Sequence, residues 1–457
     1  MLQNERESAG VLRHGRSGRV HDSVERWKED GVSMNISILV LVTVFFLIAV
    51  RQIGSARLKI WQIMLGGAVV VVLAGEISPV AAFHAIHFDV IFFLFGMFII
   101  GQAAEDSGYV THICHTFFKK VRSVDGLVLS ILFTMGIGSA VLMNDTIAII
   151  GTPIMLLLSK KNGISAKFLL LCLAFAVTLG SVMSPIGNPQ NLLVAMGGEI
   201  RSPFVTFLRH LFLPTVLNLY LTYLLLKLFF KEEFDKTNLR TNRVDIKHFR
   251  LSQVARISLI LVVVLILVKV ALTFVNLFVK IDFDFNLTWI ALIGCSPILI
   301  YRFMSKKKKY RFHILRKIDW FTLIFFASMF VLMESVWQSG FFQNLISSLS
   351  LNMTSILVIM IVSVVVSQLI SNVPMVALFL PLIVSAGAGS KELMALAAGS
   401  TIAGNLFILG AASNVIIIQH AEKENYGQSI TFLEFAKIGI PLTIINLLVY
   451  LFFFWIF

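Results

Sequence analysis

Four short polar stretches lie inside long apolar segments, and they contain the residues best suited to bind an ion or a small anion. Inside a membrane, irregular polar backbone is tolerated only where it is buried in protein or lines a cavity. Each half of the chain contains two stretches, which argues against chance kinks or isolated polar contacts between helices. The four are Asn144-Asp145-Thr146, Ser184-Pro185-Ile186-Gly187-Asn188-Pro189-Gln190-Asn191, Ser371-Asn372-Val373-Pro374 and Gly410-Ala411-Ala412-Ser413-Asn414.

The second of these stretches is predicted to break a helix, because Pro185, Gly187 and Pro189 interrupt an otherwise apolar segment. A broken helix frees carbonyl groups at one end, which can ligate a cation. It frees N–H groups at the other end, where the helix dipole also attracts an anion. Asn, Ser and Thr side chains add neutral oxygens and donors. Such a site can hold Na⁺ together with an anionic substrate.

Asp145 is the only ionisable residue in the four stretches. A carboxylate at that depth is costly unless it is paired or bound to a cation, so Asp145 is expected to ligate Na⁺ or carry a proton; a paired structural acid is the alternative. The candidate substrate- and ion-binding residues are Asn144, Asp145, Thr146, Gly187, Asn188, Asn191, Ser371, Asn372, Gly410, Ser413 and Asn414, and the candidate Na⁺ ligands are Asn144, Asp145, Gly187 and Asn188.

The polar stretches belong to an internal repeat. Residues of the first half recur in the same order in the second half, and the number of positions between matched residues falls slowly along the chain. Small deletions between two related halves explain this pattern. Phe93, Met97, Phe98, Ser107 and Gly108 recur 232 positions later as Phe325, Met329, Phe330, Ser339 and Gly340; Ser139, Asn144 and Pro153 recur 228 positions later as Ser367, Asn372 and Pro381; and Thr178, Gly187 and Asn191 recur 223 positions later as Thr401, Gly410 and Asn414.

The elements that position these residues are membrane-spanning helices. Of the 457 residues, 57% are apolar and only 14% are charged, against about 45–50% and 25% in a soluble domain. This balance excludes a soluble enzyme, a disordered protein and a disulfide-stapled domain. The net charge of +13 fits basic cytoplasmic loops better than nucleic-acid binding.

Basic residues predict the orientation of the segments. The loops 119–122 and 160–167 are both basic, so both are expected in the cytoplasm. The apolar stretch between them must then enter and leave on one side, as a re-entrant hairpin with its tip near Asn144. Residues 354–388 predict a second hairpin, open to the outside, with its tip near Asn372.

The predicted fold class is an all-α integral membrane protein with two inverted-topology repeats, as in secondary transporters. Each repeat has about five spanning helices, one re-entrant hairpin and discontinuous helices. The predicted divisions are a polar, disordered segment 1–33, repeat 1 at 34–230, a basic cytoplasmic linker at 231–252 and repeat 2 at 253–457. Met34 stands directly before the first apolar run, which makes it a second candidate for the start of the chain.

At its hairpin tips and helix breaks the chain resembles the ion transporter superfamily. This group includes divalent anion:sodium symporters, citrate transporters, arsenite efflux permeases and NhaD-type Na⁺/H⁺ antiporters. The symporters carry Ser-Asn-Thr at each tip, where this chain has Asn144-Asp145-Thr146 and Ser371-Asn372-Val373. A Gly-x-Pro-x-Asn loop in the family resembles Gly187-Asn188-Pro189-Gln190-Asn191 here. The Asn-Asp pair at the first tip of this chain also resembles the arsenite-permease and antiporter branches of the superfamily, so both remain alternatives.

The resemblance implies a permease that moves a carboxylate or oxyanion by alternating access, coupled to Na⁺ or H⁺. The alternatives are an antiporter with Asp145 as the ion carrier, an arsenite efflux permease, and a receptor or membrane-embedded enzyme without transport. No P-loop, H-E-x-x-H or G-x-S-x-G motif occurs, so no enzyme activity and no cofactor beyond the coupling ion are expected. The expected partners are the anion, the lipid bilayer and a second copy of the chain, and the expected location is a bacterial inner membrane.

Overall fold

The computed structural model describes residues 35–50, 52–53, 56–57, 59–109, 112, 121–198, 200, 202–236, 248–276, 286–304, 313–341, 344, 352–423 and 430–456. The predictions for segment 1–33, for Met34 and for residues 237–247 of the linker 231–252 fall outside these residues.

Helices dominate both halves of the described chain. The first half contains α1 (Ile36–Val50), a hairpin of two short strands, β1 (Gln52–Ile53) and β2 (Ala56–Arg57), and then α2 (Ile60–Leu73), α3 (Pro79–Ala85), α4 (Phe88–Ser107), α5 (Val124–Leu142), α6 (Asn144–Asn162), α7 (Ala166–Val182), α8 (Pro189–Gly197), α9 (Pro203–Phe229) and α10 (Lys231–Phe234). The second half contains α11 (Phe249–Asn276), α12 (Leu287–Phe303), α13 (His313–Lys317), α14 (Trp320–Gln338), α15 (Ile356–Ile370), α16 (Asn372–Ser385), α17 (Ser390–Ile402), two 3₁₀ turns (Ala403–Asn405 and Ile408–Gly410), α18 (Ala412–Lys423) and α19 (Phe432–Ile456).

The helices have the length and composition of a multi-pass membrane protein. Six of those described are long and apolar enough to cross a bilayer: α4, α5, α9, α11, α14 and α19. Six shorter apolar helices accompany them. Large apolar side chains such as Leu73, Leu433 and Trp455 remain highly exposed, as expected for helices that face lipid.

The two predicted hairpins are present, and their tips have the same unusual backbone. The helix pair α5 and α6 turns at Met143, and the pair α15 and α16 turns at Ser371. Met143 and Ser371 are the two non-glycine residues of the described chain with positive φ, at 70° and 72°. They lie 228 positions apart, the separation found from the sequence for this part of the repeat.

Helix contacts divide the molecule into two groups. The scaffold group comprises α1–α4 and α11–α14, and the hairpin group comprises α5–α9 and α15–α19. Contacts are extensive within each group and follow the repeat: α2 packs on α14 as α12 packs on α4, and α6 packs on α18 as α16 packs on α8. Contacts between the groups are sparse. All four polar stretches belong to the hairpin group.

Candidate functional site

The first half-site joins the tip 143–146 to the helix break 183–191. The backbone N–H of Asn144 donates to the carbonyl oxygen of Gly187 at 2.8 Å, and the Asn144 side chain accepts from the N–H of Asp145 at 2.9 Å. Only glycine fits at position 187, because the backbone there passes so close to Ser181 that a Cβ would lie 2.3 Å from the Ser181 carbonyl oxygen. The structure therefore brings together predicted residues that are more than 40 positions apart.

Asparagine side chains hold this helix break in place. Asn188 caps α8, with Oδ1 accepting from the N–H of Asn191 at 2.8 Å, while its Nδ2 donates to Ser181 Oγ at 2.9 Å. The Nδ2 of Asn191 donates to the carbonyls of Ser181, Val182 and Ser184 at 3.0–3.1 Å. These carbonyls lie at and just beyond the end of α7, where no further helical turn follows to donate to them. The side-chain amide of Asn191 therefore takes the place of the missing helical donors.

Thr401 from the second half completes this network. Its Oγ1 accepts from Asn188 Nδ2 at 3.2 Å and donates to Asn191 Oδ1 at 3.2 Å. Its repeat counterpart, Thr178, is equally buried, but its hydroxyl has no hydrogen-bond partner in the described chain. Thr401 was absent from the predicted site, although the match between Thr178 and Thr401 was the available signal.

The second half-site joins the tip 371–374 to the break 403–414. Asn414 Nδ2 donates to the Gly404 carbonyl at 2.7 Å, repeating the bond from Asn191 to Ser181 at the same separation of 223 positions. Gln368, which was not predicted, donates to the Ala403 carbonyl at 2.8 Å. Several buried oxygens here have no partner among the described residues: Ser367 Oγ, Gln368 Oε1, Asn372 Oδ1, Ser413 Oγ and Asn414 Oδ1.

The remaining tip residues face the scaffold group. Thr146 packs against Gly101 of α4, where a Cβ would lie 2.8 Å from the Thr146 methyl group. Asp145 is half-buried and forms no ion pair within the described chain. The first half-site therefore places a carboxylate where a cation or a proton would lower its energy.

A cavity of about 710 Å³ separates α8 and α16 of the hairpin group from α4, α11 and α14 of the scaffold group. Its titratable lining residues are His87, Asp89, Lys269 and Glu334. Burial lowers the pKa of the His87 imidazole, while the carboxylates of Glu334 and Asp89 act in the opposite direction. None of the predicted site residues lines this cavity.

The described residues contain no group of three or more His, Cys, Asp or Glu side chains that could hold a metal ion. Any ion at the two half-sites would therefore depend on amide, hydroxyl and carbonyl oxygens with at most one carboxylate. That donor set suits a monovalent cation better than a transition metal.

Comparisons with known proteins agree with this architecture. Residues 38–392 match the sequence profile of the family described as citrate transporter, CitMHS. The chain is 27% identical to a "46 kDa membrane protein" of Mycobacterium leprae over 89% of this chain and 96% of that protein. It is 22% identical to the "Putative transporter arsB" of Dictyostelium discoideum, over 90% of each chain.

A solved structure is similar in fold. The crystal structure of the Alcanivorax borkumensis YdaH transporter superposes with a TM-score of 0.52 and 14% sequence identity, covering 92% of this chain and 96% of that one. This likeness, together with the helices described above, supports an all-α membrane protein.

Proposed function

Because this chain belongs to the citrate transporter family, whose members are transporters of the ion transporter superfamily, we propose that it moves a small carboxylate or oxyanion across the membrane, coupled to Na⁺ or H⁺. The observation that carries the proposal is the pair of half-sites at equivalent places in the two repeats. The tip residue Asn144 bonds to Gly187 of the first break, and the tip residue Asn372 lies beside Gly404 of the second break, where a Cβ would be 3.6 Å from Asn372 Nδ2. Alternating access accounts for two matched half-sites, whereas a receptor or an enzyme would need only one.

The second half-site supports a coupling cation. Its unpartnered oxygens come from neutral amides and hydroxyls, including Asn372 Oδ1 and Asn414 Oδ1. Leaving such groups buried without partners costs about 1–3 kcal/mol each, and a bound Na⁺ would remove that cost. The lack of a carboxylate at this half-site favours a monovalent over a divalent ion.

The anion would lie between the two tips. Helices α6 and α16 both begin there, and helix N-termini attract negative charge. Asp145 would repel an anion unless a cation or a proton neutralises it, which would make anion binding depend on the coupling ion. The names citrate transporter and arsB support a carboxylate or an oxyanion as the substrate class.

The transport step would be a movement of the hairpin group against the scaffold group. Sparse contacts and a cavity of about 710 Å³ between the groups support such a movement, since little packing would have to be broken. We also propose residence in the cell membrane, a homodimeric assembly and no enzymatic activity.

The test is ligand-dependent thermal stability of the purified protein, with citrate, succinate, sulfate and arsenite, each with and without Na⁺. A ligand present at about 100 times its Kd should stabilise the protein by about 2.7 kcal/mol. Stabilisation by one anion only when Na⁺ is present would support anion:Na⁺ symport and identify the substrate class. Uptake of that anion into proteoliposomes, with and without a Na⁺ gradient, then measures transport itself.

A Na⁺/H⁺ antiporter is the second candidate, and Asp145 is the observation that favours it. Its carboxylate lies half-buried at a tip and has no ion-pair partner in the described chain. An Asp145→Asn variant should abolish antiport, whereas it should only alter ion preference in an anion symporter. Stability that responds to Na⁺ or pH alone and to no anion would favour the antiporter. Arsenite efflux is a third alternative, which the arsenite arm of the panel tests.

A further inference from the structure

A second set of buried polar groups lies outside the four polar stretches, where the last helices of the two repeats meet. Thr215 and Asn218 on α9 recur 228 positions later as Thr443 and Asn446 on α19. Each pair is spaced by three residues, so its side chains share one helix face. All four side chains are at least 97% buried, within helices that can span the membrane.

The register between α9 and α19 is set by one hydrogen bond, in which Thr215 Oγ1 and Tyr450 Oη lie 2.7 Å apart. Helices at equivalent places in inverted repeats run in opposite directions. Asn218 lies one turn after Thr215, and Asn446 lies one turn before Tyr450, so the two asparagines fall at the same level. They therefore face each other near the axis that relates the two repeats.

These asparagines lack hydrogen bonds. Neither Oδ1 nor Nδ2 of Asn218 or Asn446 has a partner in the described chain, and the Thr443 hydroxyl has none. Asn218 also lies close to the Tyr450 hydroxyl. Since buried amides are normally satisfied, five unpartnered atoms in three adjacent side chains indicate a missing ligand.

A helix end supplies more oxygens beside this cluster. Gly439 lies one turn before Thr443, and a Cβ on it would lie 2.2 Å from the Asn405 carbonyl oxygen and 2.8 Å from that of Leu406. Neither carbonyl accepts a backbone hydrogen bond from a described residue. The Asn405 side chain is also fully buried and unpartnered. Carbonyls at the end of a helix carry the negative end of its dipole, which attracts a cation.

We propose that this cluster is a further binding site for a monovalent cation. It borders the second half-site at Asn405 of the break 403–414 but uses none of the unpartnered oxygens named for that half-site. Its ligands are Thr443 Oγ1, the side-chain oxygens of Asn218 and Asn446, and oxygens of Asn405. All of these are neutral, so the site lacks the negative charge that a divalent ion requires. Since neither the oxygen nor the nitrogen of each side-chain amide has a hydrogen-bond partner in the described chain, each amide can rotate to point its oxygen toward the ion.

The site is specific to this junction rather than repeated. The residues 223 positions before Asn405 and 228 before Gly439 are Val182 and Leu211, and both are buried and apolar. The first repeat therefore offers neither the extra amide nor the close approach of the carbonyls. One cation, not two, is expected at the meeting of α9 and α19.

The experiment is equilibrium binding of ²²Na⁺ to the full-length purified protein. Thr443→Val keeps the side-chain shape and removes one ligand, so it should weaken one class of Na⁺ sites about tenfold. Asn446→Leu should do the same or more. Thr222→Val is the matched control, since that hydroxyl bonds to the Asn218 carbonyl within its own helix and should leave Na⁺ binding unchanged.

A half-site variant separates this inference from the proposed function. In Asn372→Ala, the cluster at Thr443 should still bind Na⁺ with wild-type affinity, and adding Thr443→Val should then weaken that class of sites about tenfold. Wild-type Na⁺ stoichiometry and affinity in both Thr443→Val and Asn446→Leu would overturn the inference and leave a cluster that only joins helices. Absence of an anomalous Tl⁺ peak beside Asn446 in soaked crystals would also overturn it, whatever the anion panel shows.

Discussion

In the first half-site the Asn188 amide donates to Ser181 and Thr401, whereas at the equivalent positions of the second half-site Ala411 packs against Gly404. The backbone is shared: both tips have positive φ, and both breaks are held by an asparagine that donates to the carbonyl ten residues earlier. The amide oxygens differ: those of Asn144, Asn188 and Asn191 accept hydrogen bonds in the first half-site, whereas those of the second half-site have no partner in the described chain.

This difference indicates separate roles for the two half-sites. The first is assembled by the protein's own hydrogen bonds and adds a carboxylate, Asp145. The second leaves oxygens of Gln368, Asn372 and Asn414 buried without partners, a cost of about 1–3 kcal/mol for each group. We therefore expect the first half-site to be formed without ligand and the second to gain most of its stability from a bound cation.

The largest expected effect is on the shared backbone. Gly187→Ala would place a Cβ 2.3 Å from the Ser181 carbonyl oxygen, a backbone atom that cannot move freely, so we expect a loss of about 3 kcal/mol. Gly410→Ala is the matched control: its Cβ would meet the Ala403 carbonyl at 2.8 Å and the flexible Gln368 side chain at 3.1 Å. Its expected loss is smaller, about 1–2 kcal/mol. Thermal unfolding of both variants measures the difference, and equal losses would contradict it.

Asn372→Ala tests the ligand dependence of the second half-site. Its Oδ1 has no protein partner, so stability without Na⁺ should change little. At about 100 times the wild-type Kd for Na⁺, the variant should lose up to about 2.7 kcal/mol of ion-dependent stabilisation. Unfolding curves across a Na⁺ titration, with choline as the replacement cation, measure this. A variant destabilised equally with and without Na⁺ would show that Asn372 is structural.

Asn188→Ala should give the opposite pattern. It removes the cap of α8 and the donor to Ser181 and Thr401, so we expect a loss of about 2 kcal/mol at every Na⁺ concentration. Asn188→Asp keeps the cap acceptor and is the control, expected to recover part of the loss. A Na⁺-dependent loss in Asn188→Ala would mean that the first half-site also needs an ion to form.

Much of this arrangement could be predicted from the sequence. Asn, Pro and Gly are conspicuous inside apolar runs, so the tips at Asn144 and Asn372 and the break at Gly187 could be located. The repeat separation also located the second tip, where Ser371 has the same backbone as Met143.

The rest depends on packing between distant segments. Thr401 contacts the first half-site although it lies in the second half of the chain. The cavity between α8, α16 and the scaffold group is likewise lined by residues far apart in the chain. Single polar residues within regular helices, such as Asn218 and Asn446, give the sequence no local break to mark them. Glu334 and Lys269 belong to different helices, and only the structure places both on one cavity.

The smallest expected effects come from the matched threonines. Thr401→Val removes the hydroxyl that bonds to Asn188, Gln190 and Asn191, so we expect a loss of about 1–1.5 kcal/mol. Thr178→Val removes a buried hydroxyl without a partner, so in Na⁺-free buffer it should change stability by less than about 0.5 kcal/mol or raise it slightly. Thermal unfolding of the two isosteric variants measures the contrast. A loss in Thr178→Val equal to that in Thr401→Val would mean that both half-sites are held by their own hydrogen bonds, and the distinction between an assembled and a ligand-dependent half-site would fail.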